Sequence, residues 1–250
     1  MSASSKSRID QLLVERGLAQ SRERARALIL AGRVLVNEQK IDKPGAAVSA
    51  EAPIRLLGED LRYVSRGGLK LEAALDTWGI EVSGRVCLDV GASTGGFTDC
   101  LLQRGAARVT AIDTGFGQIA MKLRNDPRVT LMERTNARLL EAGSLVAEAE
   151  PMLLVMDVSF ISVTLVLPAV LAAAPSLAEA VILVKPQFEV GRERVGKGGI
   201  VRDAEAHEFA IERVAECVRE QGGEAAAVID SPITGMEGNR EFLLHGKFGR

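Results

Sequence analysis

Residues Leu88 to Asp99 read LDVGASTGGFTD. The kind of ligand that this glycine-rich loop suits indicates which fold the chain has. A loop that binds a nucleoside triphosphate carries a lysine directly after its last glycine, whereas Phe97 follows Gly96 here. A loop that binds a dinucleotide has the order G-x-G-x-x-G. The middle glycine of that order is missing from Gly91-Ala92-Ser93-Thr94-Gly95-Gly96. The loop therefore predicts a different ligand.

Two carboxylates beside the loop indicate which ligand it suits. Asp89 stands before the first glycine, where it would repel a pyrophosphate and attract a cation. S-adenosylmethionine carries an ammonium and a sulfonium, so it suits this position. Asp113 ends the next predicted strand about 20 residues after Gly91, where a carboxylate commonly binds ribose hydroxyls. The alternatives are that Asp89 caps a helix and that Asp113 is a turn residue.

From Val86 onward, short apolar stretches alternate with helical stretches, which predicts an α/β fold with a mostly parallel, Rossmann-like sheet. A turn rich in proline and glycine, without a helix, separates the last two stretches. The last strand is therefore predicted to be antiparallel. The predicted strands are Val86–Val90, Val109–Ile112, Val129–Met132, Leu153–Met156, Val181–Val184, Ala226–Ile229 and Phe242–Leu244.

Four charged residues stand near the ends of elements in this predicted sheet. Asp157 and Lys185 end parallel strands, and ligands gather at that carboxyl edge of an open α/β sheet. An antiparallel last strand begins at the same edge and brings Glu241 there, while Lys70 lies on a helix just before the first strand. We predict that the four residues form one site. The alternatives are a structural ion pair between Lys185 and Asp157 and an ordinary surface position for Lys70.

The first 60 residues differ in character and predict a separate, small α+β domain. Helices are predicted at Arg8–Arg16 and from a Ser21 N-cap to about Gly32. A short hairpin and one further strand, Ile54–Leu57, follow. Nine basic and five acidic residues lie between Lys6 and Lys43. On charge alone, a solvated basic face is the simpler interpretation.

The order of residues favours an RNA-binding face instead. The pattern S-R-x-x-A-R-x-L-I followed by G-x-V-x-V-N, within residues 7–57, resembles the S4-type RNA-binding domain. In that family the second helix and the following turn lie against RNA. The resemblance implies RNA contacts at Arg8, Arg22, Arg26 and Arg33, to which Arg66 is added. The predicted domains are 1–60, a linker at 61–66, and 67–250.

Composition excludes several other classes of protein. A net charge of −2 excludes a globally basic nucleic-acid binder, so such binding must come from a local patch. The three cysteines are widely spaced and form no C-x-x-C pair, which predicts reduced, mostly buried thiols. The N-terminus lacks the apolar core of a signal peptide, and no apolar stretch is long enough to span a bilayer. We expect a cytoplasmic protein without a metal or a membrane partner.

Motifs along nearly the whole chain resemble the TlyA family, whose members have often been labelled haemolysins. They are S-R-G-G-L-K-L, D-V-G-A-S-T-G-G-F-T, R-N-D-P-R-V, E-R-T-N-A-R, D-V-S-F-I-S, L-V-K-P-Q-F-E-V-G and G-N-x-E. The resemblance implies an S4-like domain joined to an FtsJ-like methyltransferase that uses S-adenosylmethionine. It also implies 2′-O-methylation of cytidine in ribosomal RNA within ribosomal particles. The implied catalytic set is Lys70, Asp157, Lys185 and Glu241.

The residues that are expected to bind the cofactor lie in the same motifs, except Asp113, which ends the second predicted strand. They are Asp89, Gly91, Ser93, Thr94, Gly95, Gly96, Phe97, Asp113, Asn136 and Asp157. Longer members of the family act on both ribosomal subunits. Because this chain is short and begins without an arginine-rich extension, we expect it to modify the large-subunit RNA.

A ribose hydroxyl is a very weak acid, so its attack on a sulfonium methyl needs a base. Burial disfavours the charged form of a lysine, and we interpret Lys185 as the base. Asp157 would orient it, while Lys70 and Glu241 would position the ribose. The loop Gly191–Gly199 is expected either to close over RNA or to be an ordinary mobile loop.

Two other functions stay open at this point. One is a pore-forming lytic protein, as the haemolysin label indicates, although the sequence shows no membrane-inserting segment. The other is an RNA-binding ribosome assembly factor that keeps the fold without the activity.

Overall fold

The structure is a computed structural model, and it describes residues 6–19, 21–57, 62–145, 153–235 and 238–249. The chain divides into two compact units, Met1–Asp60 and Leu61–Arg250. The predicted linker at 61–66 begins at a position outside the described residues, whereas Arg66 at its end is described.

The N-terminal unit is a small α+β structure. Its elements are β1 (Lys6–Arg8), α1 (Ile9–Glu15), α2 (Arg22–Leu30), β2 (Val34–Val36), β3 (Gln39–Ile41), β4 (Ala47–Ser49) and β5 (Ile54–Leu56). The Ser21 hydroxyl oxygen accepts a hydrogen bond from the Arg24 amide, which confirms Ser21 as the N-cap of α2. The predicted hairpin is present as β2 and β3, and β5 adds to it as a third antiparallel strand.

One strand pair of this unit was not predicted. β1 pairs antiparallel with β4, and because Arg8 belongs to β1, the first helix begins at Ile9 rather than at Arg8. Apolar side chains of α1, α2 and β2 meet in one core, in which Leu13, Ile29 and Val34 are fully buried. The unit therefore has its own hydrophobic centre.

The C-terminal unit contains the α/β sheet. Its helices and strands are α3 (Gly67–Trp78), β6 (Val86–Val90), α4 (Gly96–Gln103), β7 (Arg108–Ile112), α5 (Met121–Arg124), β8 (Val129–Met132), β9 (Leu153–Met156), α6 (Leu167–Ala173), β10 (Glu179–Val184), α7 (Pro186–Glu189), α8 (Ala204–Glu220), β11 (Gly223–Asp230) and β12 (Phe242–Phe248). Short 3₁₀ turns connect some of these elements. All seven predicted strands are present, and β7, β10, β11 and β12 extend beyond their predicted bounds.

Among the described residues, the seven strands have the order β11-β12-β10-β9-β6-β7-β8. Strands β10, β9, β6, β7 and β8 are parallel, whereas β12 runs antiparallel to β10 and to β11. The prediction of an antiparallel last strand is therefore confirmed. The chain builds outward from β6 to β8 and then returns to β9. This change of direction between β6 and β9 creates the crevice in which α/β sheets bind ligands.

Successive side chains of a strand point alternately into two hydrophobic cores, because a helix layer covers each face of the sheet. In β10, Ile182 and Val184 point into the core formed with α6 and α8, and Val181 and Leu183 point into the core formed with α3 and α4. All four side chains are fully buried. Packing on both faces holds the strands firmly, so the positions of the residues at the carboxyl edge are well defined.

The three cysteines, Cys87, Cys100 and Cys217, are free thiols, and each is buried. Burial raises the pKa of Cys217 to about 11, and the same cause raises the pKa of Cys87 and Cys100 to about 12. A thiol with so high a pKa is a poor nucleophile at neutral pH. The prediction that the thiols are buried is confirmed, and none of the three is a candidate for covalent catalysis.

Candidate active site

A cavity of about 560 Å³ opens at the carboxyl edge of the parallel strands. Its wall is formed by the loop after β6, the first turn of α3, the segments that follow β9 and β10, and the segment before β12. Its size lies within the range of ordinary ligand pockets, roughly 300–1,000 Å³. The four predicted catalytic residues all line it: Lys70, Asp157, Lys185 and Glu241.

The glycine loop lies very close to the backbone that follows the neighbouring strand β9. Gly91 has φ +89°, and a Cβ built on it would lie 2.3 Å from the main-chain oxygen of Asp157. Any larger residue would therefore collide with the backbone that carries Asp157. Gly95 has φ +94° and precedes α4, a conformation that glycine adopts at no steric cost. Gly91 lines the cavity and Gly95 forms the turn into α4, and no side chain fits where either stands.

A third residue of the loop, Ser93, also has a positive φ, of +50°. Its amide donates to Asp113 Oδ2 at 2.8 Å, and the Gly115 amide donates to Asp113 Oδ1 at 2.6 Å. Asp113 therefore ties the end of β7 to the glycine loop. Each carboxylate oxygen has two lone pairs, so Asp113 can still accept from a ribose hydroxyl.

The side chain of Asp89 points into the protein interior and not into the cavity. Its side chain is completely buried, Oδ2 accepts a hydrogen bond of 2.6 Å from the Thr98 hydroxyl, and Oδ1 has no hydrogen-bond partner among the described residues. Burial raises the pKa of Asp89 to about 7, although the bond from Thr98 opposes this shift. Asp89 does not line the cavity. A direct contact with a cationic ligand at this residue stays a prediction, and the observed role of Asp89 is to join β6 to α4.

The other predicted cofactor residues divide into two groups. Ser93, Thr94, Gly96 and Phe97 line the cavity with Gly91. Gly95, Asp113 and Asn136 are not among the described residues that line it. Asn136 is exposed, and its side-chain oxygen accepts from the Arg138 amide at the start of a 3₁₀ turn. The cavity therefore gathers the centre of the loop, while the residues after β7 and β8 lie beyond it.

On the side of the cavity formed by β9 and β10, Lys185 meets two oxygen atoms. Its Nζ lies 2.5 Å from Asp157 Oδ1 and donates to Ser159 Oγ at 2.7 Å. The Asp157 contact is an ion pair whose angles do not make it a hydrogen bond, so the aligned hydrogen bond of Nζ is the one to Ser159. The Lys185 side chain is 10% exposed. The prediction that Lys185 and Asp157 lie side by side is confirmed.

Helix α3 and the segment before β12 supply a second ion pair to the cavity wall. Lys70 Nζ donates to Glu241 Oε2 at 2.5 Å, and the two side chains are 10% and 3% exposed. Gly235 leaves room for this carboxylate, because a Cβ there would lie 2.1 Å from Glu241 Oε1. Lys70 is therefore a buried, paired residue rather than an ordinary surface lysine. The cavity contains two ammonium–carboxylate pairs, each of which neutralises itself.

Sequence reasoning missed two residues of this site. Ser159 follows Asp157 by two positions in D-V-S-F, but nothing in the sequence shows that it reaches a lysine 26 residues away. Asn239 is 1% exposed, and its side chain binds the Gly199 oxygen and the Val201 amide. It thereby joins the predicted closing loop, Gly191–Gly199, to the segment that leads into Glu241. The motif G-N-x-E was the available signal for Asn239.

The predicted RNA contacts are not equivalent in the structure. Arg8 and Arg22 both bind Asp10, which is fully buried, through hydrogen bonds of 3.0 Å. The hydrogen bonds from Arg8 and then Arg22 hold the pKa of Asp10 well below its ordinary value. Arg33 donates from Nε to the main-chain oxygen of Leu57. These three arginines therefore support the fold of the N-terminal unit, whatever else they contact.

Arg26 differs from them. It is exposed on α2, one turn from Arg22. Arg66, at the start of α3, is also exposed and lines the cavity of the C-terminal unit. Arg26 and Arg66 are therefore the arginines of the predicted set that are best placed to meet a ligand from solvent.

No helix in the described part of the chain combines the length and the hydropathy that crossing a membrane requires. Within residues 6–19, 21–57, 62–145, 153–235 and 238–249, no group of three or more His, Cys, Asp or Glu side chains could hold a metal ion.

Comparison with known families assigns both units. Residues 63–248 match the model of the FtsJ-like methyltransferases, and residues 7–54 match the S4 domain. The C-terminal unit therefore has the FtsJ-like methyltransferase fold, and the N-terminal unit is an S4 domain.

Individual relatives match over nearly the whole chain. A Bacillus subtilis protein named "Putative rRNA methyltransferase YqxC" is 48% identical to this chain, and the match covers 97% of this chain and 86% of that protein. The "16S/23S rRNA (cytidine-2'-O)-methyltransferase TlyA" of Mycobacterium tuberculosis is 47% identical to this chain, and the match covers 96% of this chain and 89% of that protein. A solved structure of a "Putative hemolysin from Streptococcus thermophilus" is 44% identical, with a TM-score of 0.74 over 99% of this chain and 90% of that one.

Proposed function

The chain belongs to the TlyA family of FtsJ-like methyltransferases, and from this premise we propose that it methylates the 2′-hydroxyl of a cytidine in ribosomal RNA. The observation that carries the proposal is the pair of lysine–carboxylate contacts, Lys70–Glu241 and Lys185–Asp157, in one cavity beside the glycine loop. A purely structural cavity would not need four charged groups, of which Lys70, Lys185 and Glu241 are buried and Asp157 is partly buried. Burying each of them costs several kcal/mol unless it is paired.

The cavity fits S-adenosylmethionine in two respects. Without a side chain, Gly91 packs directly against the backbone at Asp157 and Gly95 packs against Leu123, which gives the loop the shape that faces the cavity. The residues Ser93, Thr94 and Phe97 of the same loop line the cavity. These residues would hold the cofactor, with Asp113 available to the ribose and Asp157 at the base of the loop. When bound, the cofactor supplies a methyl group that is already activated on a sulfonium, so no metal is needed.

The two pairs have different tasks in the proposed reaction. Lys185 accepts the proton of the ribose hydroxyl as general base. Asp157 fixes the Lys185 side chain and balances the positive charge that forms. Lys70 and Glu241 hold the ribose in place, because their mutual ion pair keeps both side chains in one orientation inside the wall. Proximity and orientation of this kind supply much of the rate enhancement in a reaction between two bound groups.

The S4 unit is proposed to supply RNA affinity. Changing Arg26 to glutamine should weaken binding to ribosomal RNA several-fold and should flatten its salt dependence by about 0.7–0.9 in the log–log slope, as expected for one lost phosphate contact. Binding isotherms at several salt concentrations would measure both. Cofactor affinity should not change, because Arg26 lies in the other unit.

Arg22→Gln is the informative companion to this variant. It removes a partner of the buried Asp10, so it should lower the thermal stability of the N-terminal unit, whereas Arg26→Gln should not. An Arg26→Gln protein with unchanged affinity and unchanged salt slope would remove Arg26 from the RNA-binding face.

One experiment tests the proposed function. The protein would be incubated with S-adenosylmethionine carrying a labelled methyl group and with small or large ribosomal subunits that lack the modification. Nuclease digestion and mass spectrometry would then identify the labelled nucleoside. We expect label in 2′-O-methylcytidine. The subunit that becomes labelled tests the expectation that the large-subunit RNA is the substrate. The name of the Mycobacterium tuberculosis relative gives both 16S and 23S RNA.

Label in a base, in another nucleoside or in no RNA would contradict the proposal. Lysis of erythrocytes, assayed in parallel, examines the alternative that the haemolysin name of the Streptococcus thermophilus relative raises. A pore would leave the four charged residues of the cavity without a task.

A further inference from the structure

We propose that Ser159 is a positioning residue for methyl transfer, which it serves by holding the amino group of Lys185 in the orientation that faces the acceptor hydroxyl. This inference rests on the proposed function and adds a residue to the catalytic set that the sequence indicated. The observation behind it is that the aligned hydrogen bond of Lys185 Nζ goes to Ser159 Oγ, at 2.7 Å, and not to Asp157.

The geometry of a lysine nitrogen explains why this bond matters. Besides its bond to Cε, a neutral Nζ has two N–H bonds and one lone pair, arranged tetrahedrally. A carboxylate accepts only, and the Ser159 hydroxyl oxygen accepts from Nζ here. The N–H bond to Ser159 fixes the rotation of the amino group about the Cε–Nζ bond, and the negative charge of Asp157 disfavours a lone pair on its side, so the lone pair takes the remaining direction. Without Ser159, rotation about the Cε–Nζ bond would let the lone pair leave that direction.

The chemical step needs this lone pair in one place. The ribose oxygen forms a bond to the methyl carbon, the bond between that carbon and sulfur breaks, and its electron pair stays on sulfur. The hydroxyl proton passes to the Nζ lone pair, which becomes the third N–H bond of an ammonium. Ser159 gains and loses no atom in the step. It acts through Lys185, since its bond persists before and after the proton transfer.

The segment that carries Ser159 is fixed at both ends, so the hydroxyl is held in place before substrate binds. At its start, the backbone of Asp157 packs against Gly91 so closely that a Cβ would not fit. At its end, the buried carboxylate of Glu189 accepts from the Ser162 hydroxyl at 2.5 Å and from the Val163 amide at 2.7 Å. Rigid support of this kind is what a positioning residue requires.

Backbone strain beside Ser159 is consistent with this role. Phe160 has φ +65°, a conformation that costs a non-glycine residue free energy and persists only where the surroundings enforce it. The two anchors at Asp157 and Glu189 enforce it here. The strained conformation lies directly after the serine whose oxygen meets Lys185, within the wall of the cavity.

The test compares Ser159→Ala, Ser159→Thr and wild type in single-turnover methylation of ribosomal particles, with cofactor affinity and particle affinity measured separately. Ser159→Ala should lower the rate of methyl transfer about tenfold or more, since small errors of position are costly in such reactions. Both affinities should stay within about twofold of wild type. Ser159→Thr should restore most of the rate, because it keeps the hydroxyl and residue 159 is exposed enough to accommodate a methyl group.

Ser83→Ala is the matched control. It makes the same chemical change at an exposed serine before β6, at the opposite edge of the sheet, and should leave the rate unchanged. A normal rate in Ser159→Ala would overturn the inference, and so would a Ser159→Thr protein as slow as the alanine variant. A loss confined to cofactor or particle affinity would also overturn it. If wild type itself transfers no methyl group, the proposed function fails and this inference fails with it.

Discussion

Replacing Gly91 by alanine should weaken S-adenosylmethionine binding at least about a hundredfold, on the order of 2.7 kcal/mol. Two effects add. Alanine at φ +89° is strained by about 1–2 kcal/mol. Its Cβ would also lie 2.3 Å from the Asp157 oxygen, so either the glycine loop or the backbone after β9 must move. Isothermal titration calorimetry of cofactor binding would measure the effect.

Gly84→Ala separates the two causes. Gly84 has φ +75°, close to that of Gly91, but a Cβ there meets nothing within 4 Å. This control should lower thermal stability slightly and leave cofactor affinity intact. If Gly91→Ala binds the cofactor as tightly as Gly84→Ala does, the close approach to Asp157 is not part of the cofactor site. The assignment of the loop would then have to be abandoned.

The sequence was sufficient for the sheet because its signals are local. Each parallel strand is a short apolar run, and the two faces of β10 bury alternate residues in different cores. The absence of a helix between the last two strands was enough to predict the reversal of β12. The three-residue strands β1 and β4 are too short to show a period, so their pairing was not predictable.

Side-chain partners were less predictable than strands. The prediction that Lys185 and Asp157 lie together followed from the carboxyl-edge rule, because both residues end neighbouring parallel strands. That rule does not say which way a side chain points. The buried position of Asp89 shows this, since the residue lies within β6, its side chain turns to Thr98, and it does not line the cavity.

Counting charges also misjudged the N-terminal unit. Arg8, Arg22 and Asp10 entered the count as free surface charges, but Asp10 is fully buried and binds both arginines. Arg22 is 12 residues away from Asp10 in the chain, so no local pattern reveals this contact. Because the cluster supports the fold, reversing the charge of Arg22 would disturb the unit as well as any RNA contact. Arg26 is the better probe of RNA binding for this reason.

Replacing Lys185 by arginine should lower the rate of methyl transfer by about 10²- to 10⁴-fold, with cofactor and RNA binding nearly normal. Arginine keeps the positive charge that pairs with Asp157, but a guanidinium does not release its proton in the relevant pH range and so cannot act as the base. Lys70→Arg is the matched comparison. Lys70 is equally buried, with a 10% exposed side chain, and it also lies 2.5 Å from a carboxylate. Its proposed task needs charge and position only.

Single-turnover methylation at saturating cofactor would measure both variants, because this regime separates chemistry from product release. We expect Lys70→Arg to retain at least about tenfold more activity than Lys185→Arg, since only the latter loses a proton acceptor. Equal losses would mean that the two lysines share one role and that neither is the base. A Lys185→Arg rate within a few-fold of wild type would mean that Lys185 acts by charge alone. In that case the ribose proton leaves by another route, and the orientation of the Lys185 lone pair by Ser159 would have no bearing on the rate.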